Sequence, residues 1–152
     1  MNLTITAVTA EEYPALTELW EASVRATHDF LPEAHIQRLR PLILNDYLAA
    51  VELRAARDQQ GKLLGFAGVH GHKLEMLFID PAHRGTGAGK ALLAVAITEL
   101  GVREVDVNEQ NPQATGFYLN QGFVVTGRSE LDGQGEPFPL LHLQIAAPVG
   151  AA

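Results

Sequence analysis

Apolar positions along the chain switch repeatedly between the period of a strand and that of a helix. Residues 2–8 alternate Leu3, Ile5 and Ala7 with polar neighbours, which predicts a half-buried strand. A helix is expected to open at Thr9 or Ala10. Thr9 and Glu12 have capping-box spacing, and Leu16, Leu19, Trp20, Ser23 and Val24 fall on one helical face. A second helical segment is predicted over 32–47, bent or interrupted near Pro41, which has no N–H to donate. Residues 51–57 and 62–69 read as two strands joined by the turn Asp58-Gln59-Gln60-Gly61. Gly71 marks the next reversal, and 74–79 is a third strand ending at Asp80-Pro81. From Gly87 to Leu100, the spacing of Ala91, Leu92, Val95, Ala96 and Leu100 predicts an amphipathic helix closed by Gly101. A strand over 104–108, a helix over 112–121 stopped by Gly122, and closing strands over 123–129 and 140–145 complete the pattern. The expected class is α/β, with a mixed sheet and helices on both faces.

Composition narrows the setting. A chain of 152 residues with 47% hydrophobic content suits a single domain, expected over 1–147 with a short tail at 148–152. No run approaches the roughly 18 apolar residues of a membrane span, and the first ten residues lack the basic start and apolar centre of a signal peptide. A cytoplasmic protein without a membrane partner is the expectation. There is no cysteine, which excludes disulfides, thiolate metal sites and a cysteine acyl-enzyme. Eleven Lys plus Arg against 18 Asp plus Glu give a formal charge of −7, a field that disfavours nucleic acid and suits a cationic partner. His70 and His72 form the only close histidine pair and have no third ligand at strand or helix spacing, so no metal is expected.

The stretch FIDPAHRGTGAGKALL, from Phe78 to Leu93, places Gly85, Gly87 and Gly89 between an apolar strand and a helix. A nucleotide-triphosphatase loop ending at Gly89-Lys90 requires Gly at 84 and Ser or Thr at 91, where the chain has Arg84 and Ala91. A dinucleotide fingerprint requires a third glycine at 90 or 92, where it has Lys90 and Leu92. What remains is the physical element these motifs share: a tight glycine loop and the unpaired N–H groups of a helix start, which together make an anion site for phosphate or pyrophosphate. Arg84 and Lys90 add positive charge. An ordinary glycine-rich turn is the plain alternative for this stretch taken alone.

Arg84-Gly85-Thr86-Gly87-Ala88-Gly89, preceded by an apolar strand and Asp80-Pro81, resembles the acetyl-CoA pyrophosphate loop of the GNAT N-acetyltransferase superfamily. Asn111, Ala114, Phe117-Tyr118 and Gly122-Phe123 resemble the second half of that family's signature, in the right order. The resemblance runs from Leu3 to Ile145. It extends through Trp20, His28-Asp29-Phe30, Asn108 to Asn111, and Pro137 to Leu141 to a small bacterial branch of the family. It implies a single-domain GNAT fold with a mixed, mostly antiparallel twisted sheet.

The resemblance also implies roles. Backbone at Leu77, Phe78 and Ile79 would bind the pantetheine arm and acetyl carbonyl, while their side chains pack as buried strand. Arg84, Gly85, Thr86, Gly87, Ala88, Gly89 and Lys90 would take the pyrophosphate, and Asn111 would bond the cofactor from the next helix start. Tyr118 matches the general acid that supports the departing thiolate. Its alternative is an aromatic packed on Phe123. The base stays open among Asp106, twelve residues before Tyr118, Glu75, and the turn histidines His70 and His72, with an ordered water chain as a further route. Trp20, His28 and Phe30 belong to the segment that lies over the acceptor in the family, although Trp20 and Phe30 equally suit a core face. The 130–141 segment is expected to be a long hairpin whose acidic residues face a cationic substrate.

The implied function is direct transfer of acetyl from acetyl-CoA to an amine, on a small molecule or on a protein lysine or N-terminus, through a ternary complex. The other readings are a non-catalytic acyl-CoA-binding module and a transferase using a longer acyl donor. A monomer and a homodimer both fit.

Overall fold

The computed structural model describes residues 2–146. Contacts divide the chain into two compact units, with the boundary between Val102 and Arg103.

In the first unit, β1 (Thr4–Ala7), β2 (Glu52–Arg57), β3 (Leu63–His70) and β4 (Lys73–Ile79) pair antiparallel in that order. The β2–β3 turn forms because Asp58 Oδ1 accepts from the N–H groups of Gln60 and Lys62, both at 2.9 Å, while Gly61 takes φ +81°. β3 is buried at every position from Leu64 to Val69, as a strand covered on both faces must be. On one side lie α1 (Tyr13–Thr27) and α2 (Glu33–Leu42), whose Leu16, Trp20, Val24 and Ile36 form a core with Leu53, Phe66 and Met76. Each fully buried side chain of this kind contributes about 1.5–3 kcal/mol. α3 (Ala88–Thr98) also packs on the strands through Leu92, Leu93 and Ala96.

The expected capping box at Thr9 opens a 3-10 turn, Ala10–Glu12, ahead of α1; the Thr9 N–H donates to Glu12 Oε1 at 3.2 Å. The second helical segment is not one helix. Pro41 lies in the last turn of α2, and beyond it the backbone widens into a π turn, Ile43–Tyr47, and tightens into a 3-10 turn, Leu48–Ala50. A proline ring crowds the carbonyl four residues back and removes one ladder bond, which accounts for the break. An ion-pair network fastens α1 to α2: Arg25 bridges Glu21 and Glu33 at 3.0 and 2.7 Å, and Arg40 bridges Glu21 at 2.6 Å and also Glu18.

In the second unit, β5 (Glu104–Asn108) and β6 (Phe123–Ser129) both pair antiparallel with β7 (Leu140–Ile145), and α4 (Pro112–Asn120) packs on β5 and β6. Asp132 Oδ1 accepts from the N–H groups of Gln134 and Glu136, both at 2.9 Å, so this acidic side chain builds the turn of the 130–141 hairpin. The expected tail at 148–152 lies outside the described residues.

Candidate active site

The loop between β4 and α3 begins with a 3-10 turn, Pro81–His83, in which Asp80 Oδ1 accepts from the Ala82 N–H at 3.0 Å. Thr86 Oγ1 donates to the His83 carbonyl at 2.8 Å and closes the loop on itself. Gly85 and Gly87 take φ +77° and +87°, a left-handed backbone that L side chains rarely adopt. A Cβ added at either position would meet nothing within 4 Å. The glycines therefore answer to backbone conformation and leave open space in front of the loop.

Gly87 is the N-cap of α3, and its carbonyl accepts from Ala91 at 3.0 Å. The N–H groups of Ala88, Gly89 and Lys90 precede the first helical bond and, among the described residues, have no acceptor. Arg84 and Lys90 are exposed and form no ion pair among the described residues. Free donors, two unpaired cations and a helix N-terminus make a site for an anion.

β4 adds a second backbone surface. The Asp80 N–H bonds the Leu64 carbonyl at 2.8 Å, and Phe66 pairs with Phe78 in the same register. By the alternation of an antiparallel ladder, Leu77 and Ile79 turn their N–H and C=O groups away from β3. The Phe78 side chain meanwhile packs on Phe66, with ring centroids 5.7 Å apart. A side chain in the core and main-chain groups turned off β3 are thus compatible on this strand. Val69 pairs with Leu74 and Gly68 with Met76, so Glu75 is the extra residue of a β-bulge, and it is exposed. His70 is exposed at the end of β3, and His72 is held by the Gly101 carbonyl, 3.1 Å from its Nδ1.

In the second unit, Asn111 caps α4: its Oδ1 accepts from the Ala114 N–H at 3.2 Å, which leaves the amide NH2 unused by the cap. Tyr118 is only 7% exposed and meets Phe117 and Phe123 edge-on, at centroid distances of 5.2 and 5.6 Å. The alternative reading of Tyr118, packing on Phe123, is thus present as a contact. Burial pushes the phenol's pKa upward, so Tyr118 holds its proton firmly at neutral pH. Asp106 on β5 is bonded by His142 on β7, with Oδ1 and Nδ1 2.7 Å apart, and His142 Nε2 lies 2.6 Å from Ser129 Oγ on β6. Sequence reading missed His142 and Ser129. The legible trace was slight: Asp106 is one of three polar residues in EVDVN, and His142 shares LLHLQI with Gln144.

The expected acceptor-side residues separate. Trp20 is a correction: it is 3% exposed and belongs to the core, because the α1 face that carries it is the one packed on Phe66 and Met76. His28 caps the C-terminus of α1, shares a 2.7 Å contact with Thr27 Oγ1, and lies 5.3 Å from the Phe30 ring. Burial lowers the pKa of His28, with Asp29 opposing the shift. Among the described residues no group of three or more His, Cys, Asp or Glu side chains is placed to hold a metal ion, and no helix is long and apolar enough to cross a membrane.

A glycine loop opening a helix after a strand, followed by a capped helix carrying a buried tyrosine, is the arrangement of an acetyl-transfer fold, and residues 33–138 match the family model for the acetyltransferase (GNAT) domain. The chain belongs to this family of N-acetyltransferases. Within it the chain falls in a YjaB-like branch. It is 46% identical to the peptidyl-lysine N-acetyltransferase YjaB of Salmonella typhimurium over 133 residues, 88% of this chain and 91% of that protein. It is 43% identical to the protein of the same name from Escherichia coli over 141 residues, 93% of each. The solution structure of apo YjaB from Escherichia coli superposes with a TM-score of 0.88 at 39% identity, covering 97% of this chain and all of that one.

Proposed function

We propose that residues 1–147 act as one catalytic domain that transfers the acetyl group of acetyl-CoA directly to an amine, with a protein lysine side chain as the favoured acceptor. The observation that carries the reading is the set of unpartnered N–H groups at the start of α3, opened by Gly85 and Gly87 and flanked by Arg84 and Lys90. A pyrophosphate is the group that this array fits best, since it rewards several convergent donors and both cations at once. Arg84 to Lys90 bind it, and Asn111 keeps the cofactor role that the family resemblance implies.

The N–H and C=O groups that Leu77 and Ile79 turn away from β3 suit an extended amide-bearing arm, and an N–H there polarises the thioester carbonyl; a preorganised donor of this kind is worth about 2.7–4 kcal/mol. Tyr118 serves the leaving group. A phenol is a weaker acid than a thiol, and burial weakens it further. Its role is therefore to donate a hydrogen bond to sulfur as negative charge gathers there, with proton transfer completed as the thiolate departs. Glu75, His70 and Asp106 remain the candidates to take the ammonium proton, and His28 and Phe30 are assigned to the acceptor wall.

The names of the relatives support a lysine acceptor, and the formal charge of −7 favours a cationic one. With no cysteine in the chain, direct attack by the amine in a ternary complex is the simplest route. A cytoplasmic setting, where acetyl-CoA is made, completes the proposal. The test is thiol release from acetyl-CoA with a lysine peptide, alongside mass analysis of the peptide. A gain of one acetyl group on the lysine nitrogen supports the reading. Acetyl-CoA binding without acetylation of any amine would instead favour a non-catalytic acyl-CoA-binding module.

A further inference from the structure

Asp106, His142 and Ser129 stand in series across three neighbouring strands, with hydrogen-bond distances of 2.7 and 2.6 Å. The register explains how they meet. Asp106 on β5 is paired directly with His142 on β7, so their side chains share a face. On the other side, β6 pairs Val125 with Leu143 but Gly127 with His142, which makes Thr126 the extra residue of a β-bulge. Because side chains alternate with period two, that one inserted residue moves everything after it to the opposite face. Without the bulge, Ser129 would point away from His142. Gly127, opposite the imidazole, completes the arrangement: a Cβ there would already touch His142 Cδ2 at 3.5 Å, and a longer side chain would lie across the diagonal to Ser129.

Three devices of the backbone therefore converge on one imidazole. Asp106 accepts from Nδ1–H, which fixes the tautomer and turns the basic Nε2 toward Ser129. His142 keeps 35% of its side chain exposed and Asp106 23%, so the imidazole is open to a ligand. Elsewhere, His72 Nδ1 is spent on a backbone carbonyl, His28 is a helix cap, His70 is an exposed strand end, and His83 has its nearest carboxylate, Asp80 Oδ2, at 3.6 Å. A nucleophile or proton donor, a base, and a carboxylate that orients the base are the parts of a proton-transfer site.

We propose that Asp106, His142 and Ser129 form the proton relay that deprotonates the acceptor amine. The inference rests on the acetyl-transfer reading above and names the base that it left open. His142 is the catalytic base; Asp106 and Ser129 are positioning residues. The ammonium N–H bond breaks and its proton passes to Nε2, directly or through the Ser129 hydroxyl, giving an imidazolium stabilised by Asp106. The freed amine then forms the C–N bond to the thioester carbon. As the C–S bond breaks, the second nitrogen proton ends on sulfur with Tyr118 assisting, and the imidazolium returns its proton to water. The groups bonded to the imidazole are Asp106 from β5 and Ser129 from β6, while Arg128, between Gly127 and Ser129 on the other face of β6, pairs with Glu109 at 2.6 Å and Glu130 at 3.8 Å.

The experiment compares wild type, His142→Gln, Asp106→Asn and Ser129→Ala in acetylation of a lysine peptide across pH 5.5–9.5, with acetyl-CoA affinity measured in parallel. His142→Gln is expected to lower kcat/KM by about 10²–10³ at pH 7 while leaving that affinity within twofold, to remove the acidic limb of the wild-type profile, and to recover rate with added imidazole. Asp106→Asn is expected to lower kcat/KM at unchanged acetyl-CoA affinity, because the amide no longer fixes the tautomer of the imidazole. A folded His142→Gln or Asp106→Asn with wild-type rate and wild-type limb would overturn the relay while leaving acetyl transfer intact. Failure of wild type to bind acetyl-CoA would overturn the underlying reading, and the relay with it. Should His142→Gln fail to fold, Asp106→Asn and Ser129→Ala carry the test: a wild-type kcat/KM in both counts against the relay.

Discussion

Replacing Gly87 by alanine separates the two things this glycine does. Its φ of +87° is left-handed, and a Cβ there would touch nothing within 4 Å. The cost to folding is thus the backbone penalty alone, about 1–2 kcal/mol for a non-glycine residue in this region. For a chain of this length that lowers Tm by about 2–8 °C. The cost to binding is separate. Relaxation of residue 87 toward negative φ rotates the peptide planes that aim the following N–H groups, and each lost bond to a charged phosphate oxygen is worth about 1.5–3 kcal/mol, or roughly ten- to hundredfold in Kd. Gly61→Ala is the control: its φ is +81°, it also has nothing within 4 Å, and it sits in the β2–β3 turn. Thermal unfolding and calorimetric titration with acetyl-CoA are expected to give similar Tm losses for the two variants and a weakened Kd for Gly87→Ala only. A folded Gly87→Ala that binds as tightly as wild type would refute the loop assignment.

Tyr118→Phe keeps the ring contacts to Phe117 and Phe123 and removes only the hydroxyl, so steady-state kinetics should show kcat reduced about tenfold or more with acetyl-CoA affinity unchanged; an unchanged kcat in chemistry-limited turnover would remove the acid role. Gly65→Ala places a Cβ 2.8 Å from the Phe78 carbonyl and 2.6 Å from Ile79 Cδ1. Destabilisation of about 1–3 kcal/mol in urea unfolding is expected, together with lost acetylation from a displaced β4, whereas a neutral variant would mean that β4 yields freely. The Arg25 guanidinium, with help from Gln37, holds the Glu33 carboxyl down to about 2. A depressed carboxylate contributes stability that is present above its unfolded value near 4.5 and is lost as pH falls toward 2. Tm of wild type should therefore fall more steeply from pH 5 to pH 3 than Tm of Arg25→Ala, and parallel curves would contradict this assignment.

The strands over 104–108, 123–129 and 140–145 were legible in the sequence, because alternating or apolar segments there lie between glycines, prolines and turn residues. The buried face of α1 was legible from its spacing as well, down to Ser23. Trp20 shows the limit of that reading: periodicity puts it on the inner face, and only packing tells whether that face meets protein or ligand. The π turn after Pro41 was foreseen as a break but not in kind, since proline dictates the lost bond and the surrounding core dictates how the chain recovers. The glycine loop was the most legible part of the candidate site, because it is local. Asp106, His142 and Ser129 were the least legible, as the two bonds join residues 36 and 13 apart and depend on a bulge. Register is a property of pairs of strands, so no single strand's pattern carries it.

Calorimetric titration of the folded protein with acetyl-CoA, with ATP and NAD as parallel titrants, tests the central claim most directly. Saturable binding of acetyl-CoA, tight against both nucleotides, is the expected result. Equal or absent binding of all three would mean that the donors between Arg84 and Lys90 serve another anion, and the acetyl-transfer account would fall.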